Sequence, residues 1–574
     1  MHYIVLFVQQ VSITYKRIKK IATICLVFMA YLSTTQAQIT TSSMNGYVSD
    51  GKNSLPGATV IATHLLSGSR YSTITNQQGY YQLQGMRTGG PYQIDISYVG
   101  FRPSTGKGIY LQLAIPYTYN TVLIPSTDLE EVVVKSTISK YSNGKTGAST
   151  HVGSAQIKLL PNVTRSLTDI LKLTPYSNGN GFGGRDQRMN NFSVDGANFN
   201  YNMGLDGKVL PGGGSPISID AVEETMINIA TYDIRQTNFI GAAINIVTKS
   251  GTNDLKGSLY TYIKNEHLRG NNVDGYHLGE REKEARDIYG FTLGGPVIKN
   301  KIFFFINGEY EYSPFPIHKW KLSTDGQEDL VNHISRVTSK DMERFSNDLR
   351  EMYEYNTGSW TNFNGQTTTC RLLMRADWNI NDHQKFMIRY NYTTQKKDNN
   401  LVGAALGIKG TPVSRYSMSF RNSTWQDMND VHSLTAELFS YLSKNITNQI
   451  LVSFTFNNGN NRKCKGDFPT IDIMKPDDSG TNRAFMNAGY EQHAWNNGIT
   501  ERVWAITDNL SFQMGRHNFT TGMSFESQNL SNCYLRYGAG YYRYASYEDF
   551  INKAAPVAFA LGYSLSKDKR APAK

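Results

Sequence analysis

Residues 302–312 read Ile-Phe-Phe-Phe-Ile-Asn-Gly-Glu-Tyr-Glu-Tyr. Their side chains alternate, because the even-numbered positions are mostly apolar or aromatic while Asn307, Glu309 and Glu311 stand at odd-numbered ones. Successive side chains of a β-strand point to opposite faces of its sheet. The stretch therefore predicts a strand with one apolar face and one polar face.

Segments with the same alternation lie on both sides of this stretch. We predict nine strands, at 257–264, 288–294, 302–312, 367–378, 385–394, 431–443, 448–457, 502–513 and 518–527. Two folds fit this pattern. One is a transmembrane β-barrel with lipid outside and a wet lumen inside, and the other is a soluble β-sandwich.

The connections between the predicted strands favour the membrane barrel. Long connections follow the first, third, fifth and seventh strands, and short turns lie near 299–300, 380–383, 444–446 and 515–517. Outer-membrane barrels have short periplasmic turns and long external loops, whereas a soluble sandwich has no reason to place its long loops at one end. We therefore expect 256–574 to form part of a barrel in the outer membrane of a Gram-negative bacterium, in contact with its lipid.

Composition agrees with a chain of strands and turns. The 574 residues include 36 Tyr, 26 Phe and 50 Gly, and the mean hydropathy is −0.43. The net charge of +11 is spread along the chain apart from a group at residues 16–20, and no nucleic-acid-binding motif is present. We therefore expect no nucleic-acid partner.

The N-terminus has the order of a signal peptide. Basic residues at 16–20 precede the apolar run Ile21–Leu32, and Thr35-Gln36-Ala37 resembles a small-residue cleavage site. The apolar run is too short to remain as a membrane-spanning helix. We therefore predict that residues 1–37 are a signal peptide, cleaved after Ala37 on export.

Residues 38–125 contain short alternating segments separated by Gly, Pro and Asn turns. This spacing predicts a small N-terminal β-sandwich. The pieces at 46–50, 55–60 and 98–101 resemble the carboxypeptidase regulatory-like domain. That resemblance implies a carbohydrate-binding-like fold; since no cluster of aromatic residues indicates sugar binding, a folding or docking role stays open.

A linker at 126–145 carries a strand-like segment between flexible flanks. The segment comprises Leu129, Glu130, Glu131, Val132, Val133 and Val134. Two interpretations remain: it is the last strand of the sandwich, or it adds as a strand to the sheet edge of another protein. In position and sequence it resembles the TonB box of Bacteroidetes receptors, which implies a TonB-type energiser in the periplasm as its partner.

Residues 146–250 combine a short helix with glycine-rich and β-branched motifs. Leu167, Ile170 and Leu171 have helical spacing after the candidate caps Thr164 and Ser166. The formal G-x-G-x-x-G at 179–184 neither follows an apolar strand nor opens a helix, so it does not indicate dinucleotide binding.

The motifs of this region resemble the plug of Oar-like TonB-dependent receptors. They occur in order as the runs at 183–196, 221–224 and 241–253. The candidate plug motif consists of Gly183, Gly184, Arg185, Asp195 and Gly196.

The resemblance implies an importer rather than an enzyme. The whole would be mainly β, with a β-sandwich, a mixed α/β plug and a partial antiparallel barrel. TonB-dependent transporters close with about 22 strands, so nine strands imply an incomplete barrel. The expected ligand is bulky: a peptide, a glycan or a siderophore. The alternative is a surface ligand-binding or adhesion protein that does not transport.

Catalytic, cofactor and metal sites are not expected. The sequence contains no H-E-x-x-H, Cys-x-x-Cys or G-x-S-x-G motif. Of its four cysteines, Cys25 lies in the predicted signal peptide. Cys464 and Cys533 either form a disulfide after export or stay free.

Overall fold

The computed structural model describes residues 39–126, 148–160, 165–179, 181–200, 215–279, 281, 284–401, 413–515 and 517–565. These residues form four parts, which we call the sandwich, the inner module, the wall and the cap. No helix in the described part of the chain is both long and apolar enough to cross a membrane.

The sandwich consists of two four-stranded sheets packed face to face. In the first, Ser42–Ser49 pairs with Tyr80–Met86, Pro116–Thr118 and Thr121–Val122. The second has the order Ser69–Ile74, Thr59–His64, Gly89–Ser97 and Ser104–Leu111. Alternate side chains of both sheets meet in one core, which includes Met44, Val60, Tyr81 and Ile94. The predicted sandwich is thus confirmed.

The inner module, from Ala148 to Thr248, is built on a five-stranded mixed sheet. Its order is Ala197–Asn198, Asn191–Val194, Ala243–Thr248, Val222–Ala230 and Ala148–Gly153. Around it lie the helices Ser154–Leu159 and Leu167–Leu171, the hairpin strands Ser177–Asn178 and Gly181–Phe182, and the 3-10 turns Gln187–Met189 and Ile219–Ala221. Ser166 caps the Leu167–Leu171 helix, as its sequence predicts, by accepting a hydrogen bond from the Thr168 amide.

The wall is a meander of nine antiparallel strands. They are Lys256–Asn265, Ala285–Ile298, Ile302–Pro316, Asn364–Asn381, Gln384–Asn399, Trp425–Ser443, Ile446–Cys464, Asn497–Met514 and His517–Cys533. All nine predicted strands are present, several of them longer than predicted. Within the described ranges each strand pairs only with its neighbours in the chain, so the sheet is open at its first and ninth strands.

The two faces of the wall differ as the alternation predicts. Exposed apolar side chains such as Met374, Ile388 and Trp504 point outward. The inward polar face is not wet where the inner module covers it, because Asn307, Arg389 and Asn391 are completely buried there. That part of the expected lumen is therefore filled by protein.

The cap is formed by the long connections together with the segment after the ninth wall strand, where the sequence pattern predicts no helix or strand. Its main sheet has five strands in the order Met418–Ser419, Asn482–Ala488, Thr470–Pro476, Tyr541–Tyr544 and Ala558–Ala560. The connections also contain the helices Ser339–Tyr353 and Tyr547–Ile551, the 3-10 turn Arg421–Ser423, and the short strands Asn272–Val273, Tyr276–His277, Lys321–Ser323 and Ile334–Thr338. A local signal for the long helix was present, since Thr338 and Asp341 form a capping box.

Candidate functional site

The structure divides the candidate plug motif between two places. Gly183, Gly184 and Arg185 lie in an exposed turn after the short hairpin, with both glycines at positive φ. Asp195 and Gly196 form the turn between strands Asn191–Val194 and Ala197–Asn198, where the inner module meets the wall. The two halves therefore do not form one site through their side chains.

Gly196 is a position where the module approaches the wall closely. Its φ is +78°, and a Cβ added there would lie 2.8 Å from Leu451 of the wall and 3.2 Å from Thr40 of the sandwich. A larger residue would be strained and would also push three parts of the protein apart. The turn at Asp195-Gly196 therefore needs glycine at its second position, because it is packed against the wall and the sandwich.

The carboxylate of Asp195 is the centre of a buried ionic cluster that the inner module shares with the wall. Its Oδ1 accepts hydrogen bonds from the Thr248 amide at 2.9 Å and Arg375 Nη1 at 3.4 Å. Its Oδ2 accepts from Thr248 Oγ1 at 2.6 Å and Arg389 Nη1 at 3.2 Å. Arg375 also pairs with Asp377 at 2.8 Å, so the cluster holds two guanidinium groups and two carboxylates.

A second cluster joins the same two parts further along the wall. Arg371 donates to Glu309 at 2.7 Å and to Glu311 at 3.1 Å, and its Nε donates to the Ser215 carbonyl of the inner module at 2.9 Å. Ser218 of the module donates to Glu309 at 2.7 Å. In the first cluster the charges lie on both parts and must separate if the module moves. In the second the charges all belong to the wall, and the module contributes only the polar groups of Ser215 and Ser218.

The alternation of the wall strands predicts that these side chains lie on the polar face and predicts nothing about their partners. Arg371, Arg375 and Arg389 belong to two neighbouring strands and alternate with apolar residues, so their direction was predictable. Their partners were not, because Asp195 and Arg389 are 194 positions apart. No local pattern reports such a contact.

The predicted TonB-box segment, Leu129–Val134, lies outside the described residues. The structure shows what it connects: the sandwich ends nearby with Thr121–Val122, and the inner module begins with Ala148–Gly153. The latter is an edge strand that pairs only with Val222–Ala230 within the described sheet.

A cleft of about 290 Å³ opens in the cap. Its floor is apolar and includes Ile473, Phe485 and Met486, all buried. Charged residues from three elements line it: Asp341, Arg344, Lys475 and Glu548. Such a lining suits a ligand that has both apolar and charged groups.

Two of these cations are held over aromatic rings. The Arg344 guanidinium lies 4.6 Å from the centre of the Tyr547 ring, and Lys475 Nζ lies 4.6 Å from that of Phe485. Rings restrict where the charges can point. Among the described residues no group of three or more His, Cys, Asp or Glu could hold a metal ion.

Three of the four cysteines lie in the part of the chain that the structure describes. Cys370, Cys464 and Cys533 are all free, so the disulfide between Cys464 and Cys533 that the sequence left open is not formed. The Cys464 thiol accepts a hydrogen bond from the Glu491 amide at 3.2 Å within the cap.

A family model described as "Outer membrane beta barrel domain" matches residues 247–313 and 335–572. The chain belongs to this outer-membrane β-barrel family. Its location is accordingly the outer membrane. A second model, the carboxypeptidase regulatory-like domain, matches residues 43–123, which lie within the sandwich.

The chain covers only part of the length of each individual relative to which it is similar. The TonB-dependent transporter Oar of Myxococcus xanthus is 26% identical over 284 residues, which are 46% of this chain and 26% of Oar. The outer membrane transporter YddB of Escherichia coli has a TM-score of 0.47 at 11% identity, over 69% of this chain and 50% of YddB. The siderophore receptor PirA of Acinetobacter baumannii has a TM-score of 0.40 at 13% identity, over 67% and 48% respectively. The chain thus spans about a quarter of Oar and about half of these structures, and the proteins named are transporters or receptors.

Proposed function

We propose that this outer-membrane protein acts as an energy-coupled receptor that imports a bulky ligand. The observation that carries the proposal is the ionic cluster around Asp195, which seats the inner module against the inward face of the wall. A folded module held inside a barrel wall by polar contacts blocks passage while it is seated. Charged groups regain hydration when the module moves, which offsets part of the cost of separating them, whereas the module's apolar contacts with Phe305, Leu373 and Val431 of the wall oppose the movement.

In this proposal residues 146–250 act as the plug and 256–574 as barrel strands. The segment 126–145 receives the energiser. A pull on that segment acts first on Ala148–Gly153, which is an edge strand held on one side only. Separating an edge strand breaks one row of hydrogen bonds, so it requires less work than extracting a central strand. The relative Oar is named a TonB-dependent transporter, which supports the coupling to TonB.

The experiment that tests the proposal is binding of the TonB C-terminal domain to the chain. Val133→Pro removes a backbone donor that strand addition needs, and it should abolish binding. Val133→Thr keeps the donor and the β-branched shape, so it should bind as the native chain does. Equal binding by the proline variant, or none by the native chain, would contradict energy coupling through this segment.

We propose that the ligand is a peptide, a glycan or a siderophore. The apolar floor and charged rim of the cap cleft favour a ligand with both kinds of group. PirA is named a siderophore receptor, and that ligand is a property of PirA alone.

The second candidate is a surface receptor or adhesion protein that captures a ligand without importing it. The cap favours it, because its own hydrophobic core makes it a folded surface domain. The two functions differ in one measurement. An importer moves bound ligand into the periplasm only when the energiser is present, whereas an adhesion protein retains it at the surface in both cases.

A further inference from the structure

One strand of the sandwich lies along the whole row of short turns in the wall. Ser69–Ile74 is an edge strand of its sheet, and residues in and beside it meet the four turns in chain order. The contacts are Gly68 with Asn300, Ser69 with Asn379 at 3.0 Å, Thr73 with the Lys444 carbonyl at 3.3 Å, and Asn76 with the Gly515 carbonyl at 3.0 Å. From Ser69 to Thr73 and from Thr73 to Asn76 the chain advances by four and three residues, which covers the roughly 10 Å between turns that are two strands apart. The first two contacts lie at adjacent residues, because Asn379 Nδ2 itself donates to the Asn300 carbonyl at 3.0 Å. The edge strand therefore runs in the direction of the row of turns.

Aromatic and cationic groups fill the middle of this contact. Lys385 of the wall places its Nζ 3.0 Å from the centre of the Tyr71 ring and donates to the Arg70 carbonyl at 3.3 Å. Tyr441 donates to the Gln84 carbonyl at 3.0 Å. The ring of Phe439 packs so closely on Gly85 that a side chain added there would collide with it.

The sandwich also reaches between the inner module and the wall. Thr40 donates to Glu437 of the wall at 2.8 Å and accepts from Gln449 at 2.8 Å. Beside it, Ile39 is buried in a small cluster with Met226 and Val247 of the inner module. The sandwich thus touches both parts at their common boundary.

A direct polar contact joins the sandwich to the inner module. Both carboxylate oxygens of Glu224 accept from the Leu113 amide at 3.0 Å, and Glu224 also lies 3.1 Å from His151 Nδ1. His151 belongs to the edge strand Ala148–Gly153, on which the preceding segment would pull. Displacing that strand therefore disturbs the group that anchors the sandwich.

We infer that the sandwich is a second gate, which closes the periplasmic exit beneath the inner module and is released when the exit opens. The inference rests on the proposed import function. The sandwich bridges the four turns and the inner module, so ligand leaving between module and wall meets it. Its polar contacts are single hydrogen bonds, each contributing about 1 kcal/mol, and the ring contacts of Lys385, Phe439 and Tyr441 add to them. These contacts join parts that each have their own core, so the sandwich can separate without unfolding.

Cysteine pairs across the contact test this inference in the protein's own host. In a background with Cys370, Cys464 and Cys533 replaced by Ser, Ser69→Cys with Asn379→Cys reports docking, and Gln84→Cys with Thr447→Cys repeats the test at a second contact. The matched control is Asp95→Cys with Thr105→Cys, which joins paired residues on neighbouring strands inside the sandwich. A short thiol crosslinker is applied to cells with and without a protonmotive force.

We expect both docking pairs to crosslink in de-energised cells and to lose crosslinking in energised cells, while the control pair crosslinks equally in both. Docking pairs that crosslink equally in both states, in a protein that binds the TonB domain, would overturn the gate alone. Docking pairs that never crosslink while the control does would also overturn it. Failure of the native chain to bind the TonB domain would instead overturn the proposed function.

Discussion

The carboxylate of Asp195 lies 3.2 Å from Nη1 of Arg389, and both side chains are almost completely buried. Arg389 is also held by Thr435, to which its Nη2 donates at 2.8 Å. A buried guanidinium whose carboxylate partner is removed keeps its charge in a region of low dielectric, which is costly. This pair therefore links the stability of the inner module to its seat in the wall.

Asp195→Asn should loosen the inner module from the wall. The change removes the charge that faces Arg375 and Arg389, and we expect a cost of about 3–5 kcal/mol. The measurement is hydrogen exchange of residues 191–198 and 243–248. The control is Asp186→Asn, which makes the same chemical change at an exposed pair with Arg188. Unchanged exchange in the Asp195 variant would show that the cluster does not hold the module.

The sandwich should lose stability in acid because of His64. Burial first, and then the nearby charges of Arg87 and Lys385, lower the pKa of His64 from 6.5 to about 3. Between these two pKa values, His64 is protonated in the unfolded chain and neutral in the folded sandwich. Stability is intact above about pH 6.5 and falls by up to about 1.4 kcal/mol per pH unit down to about pH 3.

Hydrogen exchange of strands 59–64 and 89–97 across this pH range measures the effect, with each observed rate divided into the intrinsic rate at that pH to give a protection factor. His64→Gln should flatten the pH dependence of protection, while His277→Gln in the exposed short strand Tyr276–His277 should leave it as it is. A native chain whose sandwich has the same protection factors at pH 4 and pH 7 would exclude this role of His64.

The mature chain should begin at Gln38. The order of basic, apolar and small residues before it predicts cleavage after Ala37. The residues that would directly follow the new terminus, Ile39 and Thr40, are packed between the inner module and the wall. Mass spectrometry of the protein from outer membranes checks the terminus. Detection of the intact Ile21–Leu32 segment there would contradict the prediction.

The strands of the wall could be predicted because the alternation that indicates each strand lies within that strand's own sequence. In 302–312 and 385–394 the alternation is local, and it gives both the strand and the direction of each side chain. The Leu167–Leu171 helix was predictable for the same reason, since cap and apolar spacing are neighbours in sequence.

The cap and the ionic clusters were not predictable in this way. The strand Met418–Ser419 has two residues and exists because Asn482–Ala488 lies beside it. Arg375 lies in the wall and Asp195 in the inner module, so the residues around one of them in the sequence do not indicate that it pairs with the other. The functional roles assigned to Gly183, Gly184 and Arg185, and to the Leu129–Val134 segment, stay predictions.

The shared core of the cap limits how this surface can diversify. Phe345, Phe420 and Ile473 come from three different connections, and Phe550 from the segment after the ninth wall strand, and all four pack in one cluster. An insertion in any one of these segments would misplace residues of the other three, because a close-packed core transmits a shift to its neighbours. Selection by phage or antibodies should therefore alter side chains rather than loop lengths. A directed-evolution library for new ligands should keep the backbone and vary Arg344, Lys475 and Glu548.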